Sequence, residues 1–101
     1  MNNIINYKNK DVGILGLGLS GLAAAKVLLN SKANIFVFDD KKEKPSIIKK
    51  RNWINYNYWP WESIKTLVVS PGIPINTEKK HNAIKLAIDN NVQIINDIDL
   101  F

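Results

Sequence analysis

Cysteine is absent from the 101 residues, which excludes disulfides and thiolate metal sites. Histidine occurs once, at His81, too few for a histidine-built zinc or iron centre. No run approaches the roughly 20 apolar residues of a membrane span. The opening stretch MNNIINYKNKD has neither a long apolar core nor a small-residue cleavage site. The expectation is a chain with no signal peptide and no membrane contact, in a cytoplasmic setting. Also missing is G-x-x-x-x-G-K-S/T, the phosphate-gripping loop of ATP-hydrolysing domains.

What is present fits one α/β domain. A chain of this length buries roughly 60 to 70% of its unfolded surface, enough for one core. It is too short for a nucleotide-binding domain plus a separate catalytic one. The hydrophobic fraction of 46% is ordinary. The net charge of +5 comes almost wholly from lysine, in a chain also rich in asparagine and isoleucine. That bias reads as AT-rich codon usage, and it carries no nucleic-acid partner by itself.

Strand and helix patterns alternate. The run DVGIL, residues 11–15, reads as a buried strand. Residues 20–30 are helix formers, with Leu22, Ala25 and Leu29 at helical spacing and Gly21 and Ala24 beside them for close approach to a sheet. A second strand is expected over ANIFVFD, residues 33–39. Pro45 is a candidate first residue of a short helix. KTLVVS, residues 65–70, is the next strand, and VQII, residues 92–95, the last. Between them a helix is expected over 77–90, with Thr77 as N-cap, Glu78 in its first turn and the pair Asn90-Asn91 supplying the left-handed residue at its end. Asn96-Asp97 reads as the cap of a further helix. The fold expected is a Rossmann-like parallel sheet of about five strands with helices on both faces.

The segment ILGLGLSG places Gly16, Gly18 and Gly21 between the first strand and the first helix. G-x-G-x-x-G alone is weak, but a strand before it and a helix after it are what its mechanism requires. Gly16 permits the sharp turn, Gly18 lets backbone amides approach a diphosphate, and Gly21 allows close packing. The free N–H groups of Leu19, Ser20 and Gly21 then face an anion, and the Ser20 hydroxyl adds a donor. Hydrogen bonds to a charged group contribute about 1.5 to 3 kcal/mol each, against about 0.3 to 1 for the helix dipole, so the amides dominate. A glycine-rich turn serving packing alone remains the bland alternative.

Asp39 stands 23 residues after Gly16, where such folds set a carboxylate over a ribose. It can equally accept from the N3–H of a uracil. Asp40 beside it disfavours a 2′-phosphate, and the stem of Lys41 can lie along a base. Either residue could equally belong to a solvated turn. In SPGIP, two prolines and a glycine present Ser70 and the Gly72 amide at the carboxyl edge of the sheet, the ligand edge of parallel folds; a plain tight turn is the alternative.

Taken in order, GLGLSG, FDD, VVSPGIP and NDIDLF resemble the N-terminal domain of the Mur ligases, in the D-glutamate-adding branch. The likeness runs over essentially the whole chain and is weakest over 42–63. It implies a domain that binds the UDP end of UDP-N-acetylmuramoyl-L-alanine and no dinucleotide. ATP with Mg2+, and D-glutamate, would belong to two further domains outside these 101 residues. The implied reaction of the whole ligase is ATP-dependent amide formation in peptidoglycan (cell wall) precursor synthesis; the domain alone is expected to have no cofactor, no metal site and no activity. Position by position, Leu19 and Ser20, next to Gly18, match the residues whose amides and hydroxyl hold the diphosphate. Asp39 matches the acid that accepts from uracil, Asp40 the neighbour whose amide meets the base, and Lys41 the cation beside the ring. Ser70 and Gly72 match the turn along the UDP path. Position 40 is often a small hydroxyl residue and 41 often Arg in that family, so a weaker base contact is implied here. The competing reading is an NAD-binding regulatory module.

Five of the nine aromatics fall in WINYNYWPW, residues 53–61. Their neighbours are Asn and Ile rather than basic residues, which disfavours a single-stranded nucleic-acid platform. They are expected to cover a sheet edge or a surface meeting another domain. The lysines over 41–50 read as a solvated face and His81 as a surface helix residue.

Overall fold

A computed structural model of the chain describes residues 7–73, 75 and 80–96. Strand β1 (Asp11–Leu15) leads through the glycine turn into helix α1 (Leu19–Asn30), and β2 (Asn34–Phe38) follows. A long connection with a single 3₁₀ turn at Tyr56–Tyr58 reaches β3 (Ile64–Val69). Helix α2 (Asn82–Asp89) and β4 (Gln93–Asn96) complete the described chain. All pairings are parallel and the strand order is β2-β1-β3-β4. The expected strands therefore form within one residue of their predicted bounds. Four are present among the described residues rather than about five. A further segment touches the β2 edge through one parallel bridge, Val37 to Trp53.

The period-2 geometry of strands sorts the sheet's side chains onto two faces. Val12, Ile14, Ile35, Val37 and Val68 pack with Ala24, Ala25 and Leu28 of α1. Leu15, Leu67 and Val69 pack on the other side with Ala83, Ile84 and Ala87 of α2. The buried stripe of α1 runs through Gly21, Ala24, Ala25 and Leu28: Gly21, Ala24 and Ala25 face the sheet as expected, and Leu28 takes the inward place expected of Leu22 and Leu29. Small residues set against the sheet let the backbones approach.

Both helices end alike. The N–H of Ala33 bonds to the Leu28 carbonyl and that of Lys32 to Leu29, with Lys32 at φ 65°. In α2, Val92 N–H bonds to Ala87 and Asn91 to Ile88, with Asn91 at φ 58°, the left-handed end expected from Asn90-Asn91. The start of α2 is corrected: the helix begins at Asn82, and His81 Nδ1 accepts from the Ala83 N–H at 3.0 Å as the cap. Thr77 and Glu78 lie outside the described residues, as do Asp97 and the helix expected after it. Pro45 starts no helix; its carbonyl accepts from Ile48 N–H in a turn.

Three rings of the aromatic segment are core, while Trp53 lies along the β2 edge as expected and Tyr58 is exposed. Tyr56, Trp59 and Trp61 are buried in the cluster that includes α2. The indole N–H of Trp59 donates to the Ile54 carbonyl at 2.7 Å and that of Trp61 to Tyr56 at 2.8 Å. Each ring thus removes apolar area from water while its polar atom keeps a partner. Gly13 makes room for this: a Cβ there would stand 2.5 Å from Cζ3 of Trp59.

Candidate functional site

Strand β1 lies between β2 and β3, so the direction of chain progression reverses at its carboxyl end, where open parallel sheets form their ligand crevice. Gly16 leaves β1 at φ +89°, and its N–H bonds to the Phe38 carbonyl at 2.9 Å. A Cβ on Gly16 would stand 2.8 Å from the Ser70 Cβ, and one on Gly21 would stand 2.5 Å from the Gly16 carbonyl oxygen. Those two glycines are demanded by the fold. Gly18 is different. It is extended, at φ −74° and ψ −170°, and a Cβ there would meet nothing within 4 Å. The space before it is open.

Gly18 is the N-cap of α1 and offers no side-chain cap, nor is there an acid in the first turn. The N–H groups of Leu19, Ser20 and Gly21 make no hydrogen bond among the described residues. Three donors therefore point from an uncapped helix start toward water, the arrangement that accepts an anion. The Leu19 side chain, 91% exposed, leaves the approach unobstructed.

The carboxylate of Asp39 holds this loop in place. Its Oδ2 accepts from the Leu17 N–H at 2.7 Å and its Oδ1 from the Lys41 N–H at 2.8 Å. Burial pushes its pKa up, but the backbone N–H groups of Leu17, Lys41 and Lys42, with the Lys42 ammonium, together hold it below the ordinary value. A carboxylate offers about four lone-pair sites, so one remains for a further donor. Lys42, expected in a solvated face, instead donates from Nζ to the Leu17 carbonyl at 3.0 Å. Lys44 likewise donates to the Ile48 carbonyl at 2.8 Å.

Beside the loop opens a cleft of about 430 Å³ lined by Asp39, Asp40, Lys41, Ser70, Gly72, Ile73, Lys80 and His81. Five of the eight residues singled out from the sequence, Asp39, Asp40, Lys41, Ser70 and Gly72, thus share one cavity. The other three, Gly18, Leu19 and Ser20, form the neighbouring helix start, joined to the cleft where Gly16 meets Ser70. Ser70 donates its N–H to Leu15 and accepts from Ile73 N–H, each at 3.0 Å, which folds SPGI into a tight turn at the cleft wall.

His81 is the residue that sequence reading missed. Besides capping α2, it hydrogen-bonds through Nε2 to Asp40 Oδ2. Tyr56 stacks edge-on against its ring at a 5.0 Å centroid distance. Burial, and then the Asp40 charge, raise the Tyr56 pKa. The only hint in the sequence was a histidine one position before a helical run, at a place where a histidine can serve as cap.

Among the described residues no group of three His, Asp or Glu side chains could hold a metal ion, and no helix is long and apolar enough to cross a membrane. Comparison with known proteins fits the geometry. Residues 10–96 match the family described as Mur ligase MurD-like, N-terminal domain. The chain is similar to the UDP-N-acetylmuramoylalanine–D-glutamate ligase of Wolbachia sp. subsp. Brugia malayi, 39% identical over 94% of this chain and 20% of the relative. Its counterpart in Bartonella henselae is 34% identical over 100% of this chain and 22% of the relative. The Rickettsia prowazekii ligase is 34% identical, over 94% of this chain and 21% of the relative. The chain thus spans about a fifth of the length of these curated relatives. With the glycine turn, the acidic end of β2 and the Ser-Pro-Gly turn gathered at one sheet edge, the chain belongs to the MurD-like N-terminal domain family of the Mur ligases.

Proposed function

We propose that this chain is the domain that binds the uridine diphosphate end of UDP-N-acetylmuramoyl-L-alanine within an ATP-dependent ligase adding D-glutamate. The single observation that carries the reading is the uncapped start of α1: three N–H groups without a partner among the described residues, beside an open Gly18 and next to the cleft. The diphosphate lies over these donors, with the Ser20 hydroxyl beside them. The uracil enters the cleft, where the remaining lone pair of Asp39 accepts its N3–H, the Asp40 amide meets the base and Lys41 flanks the ring. Ser70 and Gly72 line the path between.

This division of labour leaves the domain a substrate holder. Its own residues bind and orient the nucleotide; amide formation from ATP, Mg2+ and D-glutamate belongs to the rest of the ligase, working in the cytoplasm on a cell-wall precursor. Gly18 and the N–H groups behind it supply no proton transfer and no nucleophile. Because other domains complete the site in the whole enzyme, affinity for UDP in this chain alone is expected on the order of millimolar, about −4 kcal/mol.

Ligand-observed NMR and calorimetry with UDP, UDP-N-acetylmuramoyl-L-alanine, NAD and NADP test this. The expected order places both uridine nucleotides ahead of both dinucleotides. A preference for NAD would overturn the reading.

A further inference from the structure

Four side chains from two connections meet at the cleft wall. Asp40 follows β2, Tyr56 sits in the 3₁₀ turn, and His81 and Asn82 open α2. Asp40 and Asn82 both stand near the Tyr56 hydroxyl, and the Asp40 charge raises the Tyr56 pKa after burial does. His81 Nδ1 accepts from the Ala83 N–H, so the ring's proton sits on Nε2 and is donated to Asp40. One neutral imidazole therefore serves as helix cap and as donor at once.

The location matters more than the strength. Strand β2 is at one edge of the sheet, whereas α2 joins β3 and β4 on the far side of β1. The His81–Asp40 contact bridges that distance, and both partners line the cavity. Their side chains are 19% and 45% exposed, and contacts so wetted contribute little to folding. What the bridge does is fix a position: it sets the separation between the β2 end and the α2 start.

We infer that His81 is a positioning residue for nucleotide binding: by holding Asp40 through Nε2–H it fixes the Asp40-Lys41 backbone against which the base docks. The inference rests on the uridine nucleotide reading above. Histidine is suited to the task because its two ring nitrogens face opposite demands, a backbone donor at one and a carboxylate acceptor at the other.

The test is UDP titration by NMR and calorimetry of the wild-type chain, His81→Asn, His81→Gln, Asp40→Ala and the His81→Asn/Asp40→Ala pair, with thermal unfolding of each. Asparagine is a strong N-cap, so His81→Asn should unfold near the wild-type temperature. Its shorter side chain cannot reach Asp40, and the UDP Kd should rise on the order of tenfold. Asp40→Ala should match that loss, and the double variant should lose no more than either single one. His81→Gln, whose terminal amide still reaches toward Asp40, should recover part of the affinity. Wild-type affinity in His81→Asn or Asp40→Ala, or losses that simply add, would overturn the inference while leaving the UDP reading intact. A wild-type chain that binds no UDP would sink both.

Discussion

The three glycines of the turn carry different duties. Gly16 and Gly21 are forced by neighbours at 2.8 Å and 2.5 Å, whereas nothing within 4 Å forbids a side chain at Gly18. Gly18→Val should therefore fold, because its backbone is already in the extended region that branched residues favour. It should lose UDP binding as its methyl groups fill the space over the amides. Calorimetry beside a melting curve checks this; a folded variant with unchanged UDP affinity would put the ligand elsewhere. Asp39 makes a second residue-scale prediction. Folded Asp39 releases its proton more readily than the unfolded residue, whose ordinary value is 3.8. Its contribution is thus fully present above that pH and vanishes as the pH falls through the lowered folded value. Asp39→Asn keeps one acceptor oxygen and loses the other, so it should cost about 1 to 3 kcal/mol at neutral pH. Urea unfolding between pH 7 and pH 3 should show the gap between variant and wild type closing at the acid end.

At the element scale, each helix is closed by a residue in the left-handed region. For α2 that residue is Asn91, whose short polar side chain tolerates it. For α1 it is Lys32 at φ 65°, a long side chain in a conformation that disfavours it by roughly 1 to 2 kcal/mol. Lys32→Gly should recover that strain less the extra flexibility of glycine, about 0.5 to 1 kcal/mol. The expected result is a gain in stability of up to about 1 kcal/mol by urea unfolding, with UDP affinity unchanged, since Lys32 lies at the opposite end of α1 from the glycine turn. A lower unfolding midpoint would mean that the Lys32 side chain contributes more than its backbone strain removes.

Across the whole molecule, the sheet's second face is covered partly by α2 and partly by the aromatic connection between β2 and β3. Trp59 is 4% exposed and lies against Gly13 in the central strand. Gly13→Ala would push a methyl group to 2.5 Å from a ring whose N–H is pinned to the Ile54 carbonyl. Overpacking of this kind typically costs about 1 to 3 kcal/mol. Thermal unfolding should show a drop of several degrees per kcal/mol in a domain of this size. An unchanged midpoint would show that the ring slides aside freely.

The succession of strands and helices along the chain and the glycine turn were readable from the sequence because they rest on local rules: apolar runs bounded by glycine and proline, and helix formers after a turn. The left-handed closure at Asn91 was legible for the same reason. What tertiary structure alone decided involves partners far apart in sequence. The carboxylate of Asp39 reaches Leu17, Lys42 folds back on the same loop, and His81 meets Asp40 at a separation of 41 residues. Nothing local distinguishes these from ordinary exposed side chains; only the β2-β1-β3-β4 order brings them to one edge. Tyr56, Trp59 and Trp61 likewise became core because, among the described residues, α2 covers only part of that sheet face and the rings supply the rest of its buried apolar area.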